Sequence, residues 1–405
     1  MNKKVELLYG KGKITVEVPE ENILQILEPK EVPGIENVEL EIERAIENPI
    51  GAKLEEIINP NDKIAIIVPD HTRRGVPIEK ISSILLKKLL EIGVNNISFI
   101  VASGAHLKPP EKELENMFGK IFKEFKVIIH DPVDYGKLTY VGRTSFGTEI
   151  YANSIVYNAN KKIAIGGIAP HPFAGYSGGA KSILCGVCGV KTLKQNHSWM
   201  INPKAKSGIL EGNPVYEDIV EAAKIVGLDF IVNVVVNHKG EAVKVVVGDF
   251  IKAHLEGAKI ADEIYRTPIK EKADIVIASA GGYPIDSTLQ LSLKAIENAL
   301  AASKDGGIVI LATACEDGTG LDTFFPGKDP FQEILVSPVH EFVRAIKIPR
   351  LLILITELSD DVVNKLLLRK VPMAQALEGA FDIKGPDAKV IVMPYAWRTE
   401  PVVSS

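Results

Sequence analysis

Eight short runs rich in valine and isoleucine constrain this chain more than any other feature: KIAIIV (63–68), NISFIVA (96–102), KIAIGGI (162–168), FIVNVVV (230–236), ADIVIASA (273–280), GIVILATA (307–314), LLILIT (351–356) and KVIVMP (389–394). A strand with one wet face alternates polar and apolar residues, and these runs do not. They predict strands covered on both faces, which is the environment of a parallel sheet flanked by helices. Amphipathic segments lie between them, among them PIEKISSILLKKLLEIG (77–93), YEDIVEAAKIVG (216–227) and STLQLSLKAIENALAASK (287–304). The first opens on proline and closes on glycine, as helix boundaries favour. Strand alternating with helix gives an α/β fold class.

A chain of 405 residues is long for one core, so two domains are expected. The charged, proline-containing stretch YRTPIKEKAD (265–274) separates a helix from a fresh strand. It divides the chain into 1–268, an N-terminal α/β domain, and 269–405, a C-terminal α/β domain. Residues 1–60 read as a β-hairpin (ELLYGKGKITVEV) and short helices attached to the first domain. A net charge of −5 supplies no attraction to nucleic acid or an anionic membrane. No apolar run reaches the roughly 18 residues of a membrane span, and the N-terminus lacks a signal-peptide core. Three cysteines form no disulfide framework and fit a reducing cytoplasm.

Several strands run straight into unusual loops: PDHTRRGVP after 68, GAHLKPP after 103, APHPFAGYSGGAK after 168, and GGYPIDS after 280. Ligands of open α/β sheets bind beyond the carboxyl ends of strands, so these loops are expected to converge on a crevice, placed by a two-domain fold in the interdomain cleft.

GYSGGAKS (175–182) comes within one residue of the phosphate-loop pattern, with Ala180 where the last glycine belongs. It reads either as a cradle of backbone amides for a phosphate or as a tight turn with a solvated lysine. No G-x-G-x-x-G occurs, which argues against a dissociable dinucleotide. Of eight histidines, His106, His171 and His197 lie in these loops, where imidazole suits proton transfer or metal ligation. His71 adjoins Asp70, whereas His130, His238 and His254 read as structural or exposed. Cys185 and Cys188 form C-x-x-C but lack a second ligand pair, so they read as packing residues. Arg73 and Lys294 are placed to clamp a carboxylate; Arg74 reads more readily as surface charge.

These residues resemble the lactate racemase family, whose members use a nickel-pincer nucleotide. The resemblance rests on LLYGKGKITVEVP, VPDHTRRGVP, SGAHLKPP, HPFAGYSGGAKSIL, NH at 196–197 and GGYPIDSTLQLSLKA. It implies two α/β domains and a 2-hydroxy-acid racemase or epimerase working by hydride transfer. It implies that Lys181 joins the cofactor, Ni(II)-pyridinium-3,5-bisthiocarboxylate mononucleotide, through a thioamide, and that His197 completes the nickel coordination. Ser177, Gly178 and Gly179 would hold its phosphate, and Asp70, His71, Thr72 and Arg73 would contact it. His106 and His171 would be the paired acid/base residues, with Arg73 and Lys294 on the substrate carboxylate. Each face of the reacting carbon needs its own base, so two histidines suit an inversion, and covalent attachment suits a hydride that returns to the same molecule.

Two positions depart from the family pattern. Leu291 stands in place of a glutamine before Lys294, and an apolar pocket residue there would favour a hydroxy acid larger than lactate. Cys185 stands where proline is usual. Two other functions are compatible with parts of the sequence: a phosphate-binding hydrolase or kinase built on GYSGGAKS, and a non-catalytic carrier of metal or nucleotide. The expected partners are a small hydroxy acid and the proteins that build the cofactor.

Overall fold

Structure is described, from a computed structural model, for residues 1–73, 75–106, 108–320, 351–366 and 368–404. Arg74 lies outside the described residues. The chain forms two compact units, residues 31–263 and residues 1–30 with 264–405.

In the first unit the central strand is Lys63–Pro69. Asn96–Ala102 and then Lys126–Ile129 lie on one side of it, and Lys161–Gly167, Phe230–Val236 and Ala242–Gly248 on the other. All neighbours are parallel except the edge strand Ala242–Gly248, which is antiparallel to Phe230–Val236. The strands are apolar on both faces because both faces are covered. Ile64, Ile66 and Val68 pack with Ile81, Leu85 and Leu89 of the helix Ile78–Ile92, and with Ile42 and Ile46 of Val38–Glu47. Glycine ends the helix Ile78–Ile92 as expected: Gly93 takes a left-handed φ of 98° and its N–H returns to the carbonyl of Leu90. Chain order reverses on either side of Lys63–Pro69, so the loops after Pro69, Ala102 and Gly167 leave the carboxyl edge at the sheet's switch point.

The second unit carries an all-parallel sheet in the order Arg369–Lys370, Leu351–Ile355, Ser303–Ala312, Ala273–Ser279, Val390–Met393, Ile23–Ile26. The sheets and their helices confirm the α/β expectation, but the N-terminus is assigned differently. Residues 1–30 belong with the C-terminal unit, not with residues 31–263. Ile23–Ile26 extends that unit's sheet beside Val390–Met393. The hairpin Asn2–Tyr9/Gly12–Pro19 buries Val5, Leu7, Val16 and Val18 against Ile275, Ile277, Ile308 and Ile310. The alternation of that hairpin supplies one apolar face, and nothing in its own sequence says which sheet it covers.

Among the described residues no helix is long and apolar enough to cross a membrane.

Candidate active site

The loop after Pro69 folds back on itself. Asp70 is 3 % exposed, and its Oδ1 accepts the N–H of Thr72 at 2.8 Å and the Thr72 hydroxyl. Its Oδ2 faces Nδ1 of His106 at 2.7 Å. A carboxylate only accepts, so the His106 hydrogen lies on Nδ1 and Nε2 is the ring atom offered for proton exchange. Burial alone would raise the Asp70 pKa. The facing His106, Arg73 and the Thr72 hydroxyl outweigh it and hold the carboxyl well below the usual range. Arg73 in turn donates from Nη1 to the Thr72 hydroxyl at 3.0 Å. His71, adjacent to Asp70, has a buried Nδ1 that makes no hydrogen bond among the described residues.

His106 is carried by Ser103-Gly104-Ala105, a turn zipped onto the neighbouring helix Lys181–Val187. Gly104 N–H donates to the Gly186 carbonyl at 3.1 Å. A Cβ at Gly104 would lie 2.1 Å from the Cys185 carbonyl oxygen, at a φ of 51°, so only glycine permits the approach. His130 ties the same two pieces from beneath. Its carbonyl accepts from the Ser103 hydroxyl at 2.9 Å, and its Nε2–H donates to the Cys188 carbonyl at 3.0 Å.

The loop after Gly167 brings His171, Lys181 and His197 into one group. His171 Nε2 and Lys181 Nζ are 2.9 Å apart, and the Ala174 N–H donates to His171 Nδ1 at 3.3 Å. Both contacts are satisfied when the imidazole hydrogen sits on Nε2 and Lys181 is a neutral amine that accepts it. Burial also pushes the Lys181 ammonium pKa down, with Arg73 adding to it, which favours the same neutral form. Phe173 stands between the two imidazoles, its ring 4.7 Å from His171 and 5.0 Å from His197, edge to face in both cases. His197 Nδ1 lies 3.1 Å from the Asn196 side-chain carbonyl. Burial pushes its pKa down to about 3, so the ring is neutral at physiological pH.

The glycine loop is built for close packing. Gly178 and Gly179 have φ of 78° and 53°, and a Cβ at Gly179 would come within 2.7 Å of the His254 ring. Gly179 N–H donates to Asn233 Oδ1 at 2.8 Å. The N–H groups of Ser177, Lys181 and Ser182 go to the carbonyls of Ala169, Gly178 and Gly179. The Ser177 hydroxyl donates to the Gly167 carbonyl at 2.8 Å. A phosphate loop aims such amides outward; here these donors hold the loop to its own strand end. Ser177, Gly178 and Gly179, expected to hold the cofactor's phosphate, lie together in this loop, with the Ser177 hydroxyl and the Gly179 N–H engaged within the protein.

Asn233, which the sequence reading passed over, and His254, expected to be structural or exposed and found structural, both shape the site. His254 is buried, its Nε2–H donates to the Ser177 carbonyl at 2.9 Å, and its ring stacks on Tyr216 at 6.0 Å. Asn233 had a legible signal, being the one polar residue within FIVNVVV.

Lys294 belongs to the other unit, on the helix Leu289–Ala302, with Nζ 4.9 Å above the ring of the buried Tyr265. Leu291, half-buried, lies one turn earlier on the same helix. All three cysteines are free thiols. Burial pushes the thiol pKa of Cys188 far above its ordinary value, and that of Cys315 up to about 11, consistent with packing roles. Among the described residues no three His, Cys, Asp or Glu side chains converge as a ready-made metal site.

A family model for the lactate racemase N-terminal domain matches residues 9–208, and one for the lactate racemase C-terminal domain matches residues 269–334. The lactate racemase of Thermoanaerobacterium thermosaccharolyticum is 36% identical over 337 residues, covering 80% of this chain and 79% of that protein. The lactate racemase of Lactiplantibacillus plantarum is 30% identical over 419 residues, covering 96% and 97%. The structure of the T. thermosaccharolyticum lactate racemase apoprotein superposes with a TM-score of 0.86 at 31% identity, covering 100% of both chains. A Thermotoga maritima protein shares the fold alone, with a TM-score of 0.65 at 14% identity over 90% of this chain and 97% of that one. With both family domains matched and relatives aligned along most of its length, the chain belongs to the lactate racemase family and is an isomerase.

Proposed function

We propose that the protein racemises lactate or a larger 2-hydroxy acid with a nickel-pincer nucleotide attached at Lys181. The observation that carries this reading is the buried Lys181 amine, held 2.9 Å from His171 Nε2 where burial lowers its ammonium pKa.

The residues fit the cofactor. A neutral Lys181 Nζ has the lone pair that forms a thioamide. His197 is a neutral imidazole with its hydrogen on Nδ1, the form in which Nε2 ligates a borderline-soft metal. The buried Nδ1 of His71, without a hydrogen-bond partner among the described residues, suits a polar group of the bound nucleotide. When bound, the cofactor would supply a reversible hydride acceptor for the substrate carbon.

The chain's own groups handle the proton. His106 Nε2 is aimed by Asp70 and serves one face of the substrate. In a thioamide the Lys181 Nζ lone pair would be delocalised and no longer accept a hydrogen bond, which would leave His171 Nε2 to serve the other. Arg73 and Lys294 are assigned to the substrate carboxylate, and Leu291 is the position at which an apolar residue would admit a larger side chain. A nucleotide hydrolase built on GYSGGAKS has no comparable support, because the donors of that loop are directed inward.

The test is intact-protein mass and nickel content of the chain produced together with cofactor-building proteins, with Lys181→Ala in parallel. A mass increment and about one nickel per chain in the wild type, both absent from the variant, support the reading. An unmodified wild-type mass, where a characterised relative is modified in the same host, contradicts it. Chiral analysis of lactate and of larger 2-hydroxy acids then fixes the substrate.

A further inference from the structure

Asp218 is fully buried and takes no part in the chemistry above, yet one side chain, Asn196, connects it to His197. Its Oδ1 accepts the Thr144 hydroxyl at 2.6 Å. Its Oδ2 accepts the Thr148 hydroxyl at 2.8 Å and the Asn196 Nδ2 amide at 2.8 Å. The same Asn196 nitrogen donates its second hydrogen to the Val215 carbonyl at 3.1 Å. A carboxylate and a carbonyl both demand donors, so the amide nitrogen of Asn196 can point only toward them. Its Oδ1 must then face His197 Nδ1, 3.1 Å away.

An amide oxygen accepts and does not donate. The imidazole hydrogen of His197 is thereby placed on Nδ1, and the ring lone pair on Nε2. Asn196 and Asp218 are each 0 % exposed, so neither can turn to water and release the ring. Metal-bound histidines are commonly oriented in this way through their second nitrogen, usually by a carboxylate or carbonyl.

We propose that Asp218 and Asn196 are positioning residues that lock His197 in the Nδ1–H tautomer, so that Nε2 is presented to the metal. The ligation half of this proposal rests on the reading of His197 as the nickel ligand. The tautomer half rests on the hydrogen bonds alone. Thr144 and Thr148 complete the device by holding the carboxylate in one orientation, so that it cannot rotate and let the Asn196 amide flip.

The experiment is long-range 1H–15N correlation on the full-length apoprotein labelled with 15N-histidine, for wild type, Asn196→Ala and the nearly isosteric Asp218→Asn. The wild type should show one His197 tautomer, with Nδ1 protonated. Asn196→Ala should show a mixture of tautomers. Asp218→Asn should shift the population toward Nε2–H, because an amide at 218 lets Asn196 flip. Retention of nickel against a chelator should fall roughly 10- to 100-fold in both variants. Asp218→Asn keeps the shape of the buried side chain and carries the test should Asn196→Ala not fold. A folded variant that keeps a pure Nδ1–H signal overturns the lock and reduces the cluster to a strut between helices. A wild type that binds no nickel overturns the ligation half even where its tautomer is pure.

Discussion

His106 leans on a carboxylate, whereas His171 leans on an amine and a backbone N–H. The two imidazoles leave the sheet from strands on opposite sides of Lys63–Pro69, Asn96–Ala102 for one and Lys161–Gly167 for the other. Asp70 at the end of the central strand fixes His106 permanently, with Nε2 outward. The partner of His171 is itself the residue proposed to change chemically when the cofactor is attached. On the proposed reading, one base is ready at all times and the second is engaged by Lys181 until the cofactor is attached. A non-catalytic carrier would have no use for a carboxylate-aimed imidazole.

The comparison breaks most severely at the histidines themselves. His106→Asn and His171→Asn should each lower kcat for racemisation about 10³-fold, measured by chiral chromatography on loaded enzyme. Next in size is acid stability. His130 joins the two loops through its hydrogen bonds to Ser103 and Cys188, its Nδ1 accepts from Asn153 Nδ2 at 3.4 Å only while the ring is neutral, and burial pushes its pKa down to about 4. The unfolded chain takes up this proton near pH 6.5 and the folded chain does not. Stability should therefore fall on the order of 3 kcal/mol as pH drops from about 6.5 to about 4, read from denaturant midpoints against pH. His130→Asn should flatten that slope while lowering stability at neutral pH.

Asp70→Asn should cost about 10² in kcat by removing the acceptor that aims His106. Because the Asp70 carboxyl is held below its ordinary range, its contribution to stability is present above about pH 4 and is lost as pH falls further. The variant should lose that portion of the acid transition. Thr72→Val is the mildest change. It removes a hydroxyl that donates to Asp70 and accepts from Arg73, worth about 1 kcal/mol, and should appear as a several-fold rise in KM more than as a fall in kcat.

The strands and helices were legible because burial on both faces writes continuous apolar runs, and the loops at their carboxyl ends followed from the topology of such sheets. His106, His171, Lys181 and His197 stood out because reactive residue types clustered where those strands end. Other features were illegible for equally physical reasons. Ile23–Ile26 is too short to announce which sheet it will join. The glycines of GYSGGAKS read alike for a phosphate cradle and for a loop pressed against His254; only the direction of the amides separates the two. Asp218 lies in an amphipathic helix, where an acidic residue reads as solvated surface, and its burial depends on Thr144 and Thr148, about 70 residues earlier in the chain. The partnership of Asp70 with His106 likewise crosses two strands.

The assignment of one histidine to each substrate face is tested most directly by trapping keto acid in a single turnover. Loaded His106→Asn and His171→Asn would each be mixed with one pure enantiomer, quenched, and the keto acid captured with a hydrazine. Each variant should yield keto acid from one enantiomer only, and the two variants from opposite enantiomers. Keto acid from the same enantiomer in both variants would contradict the assignment, as would its formation from both enantiomers in either one.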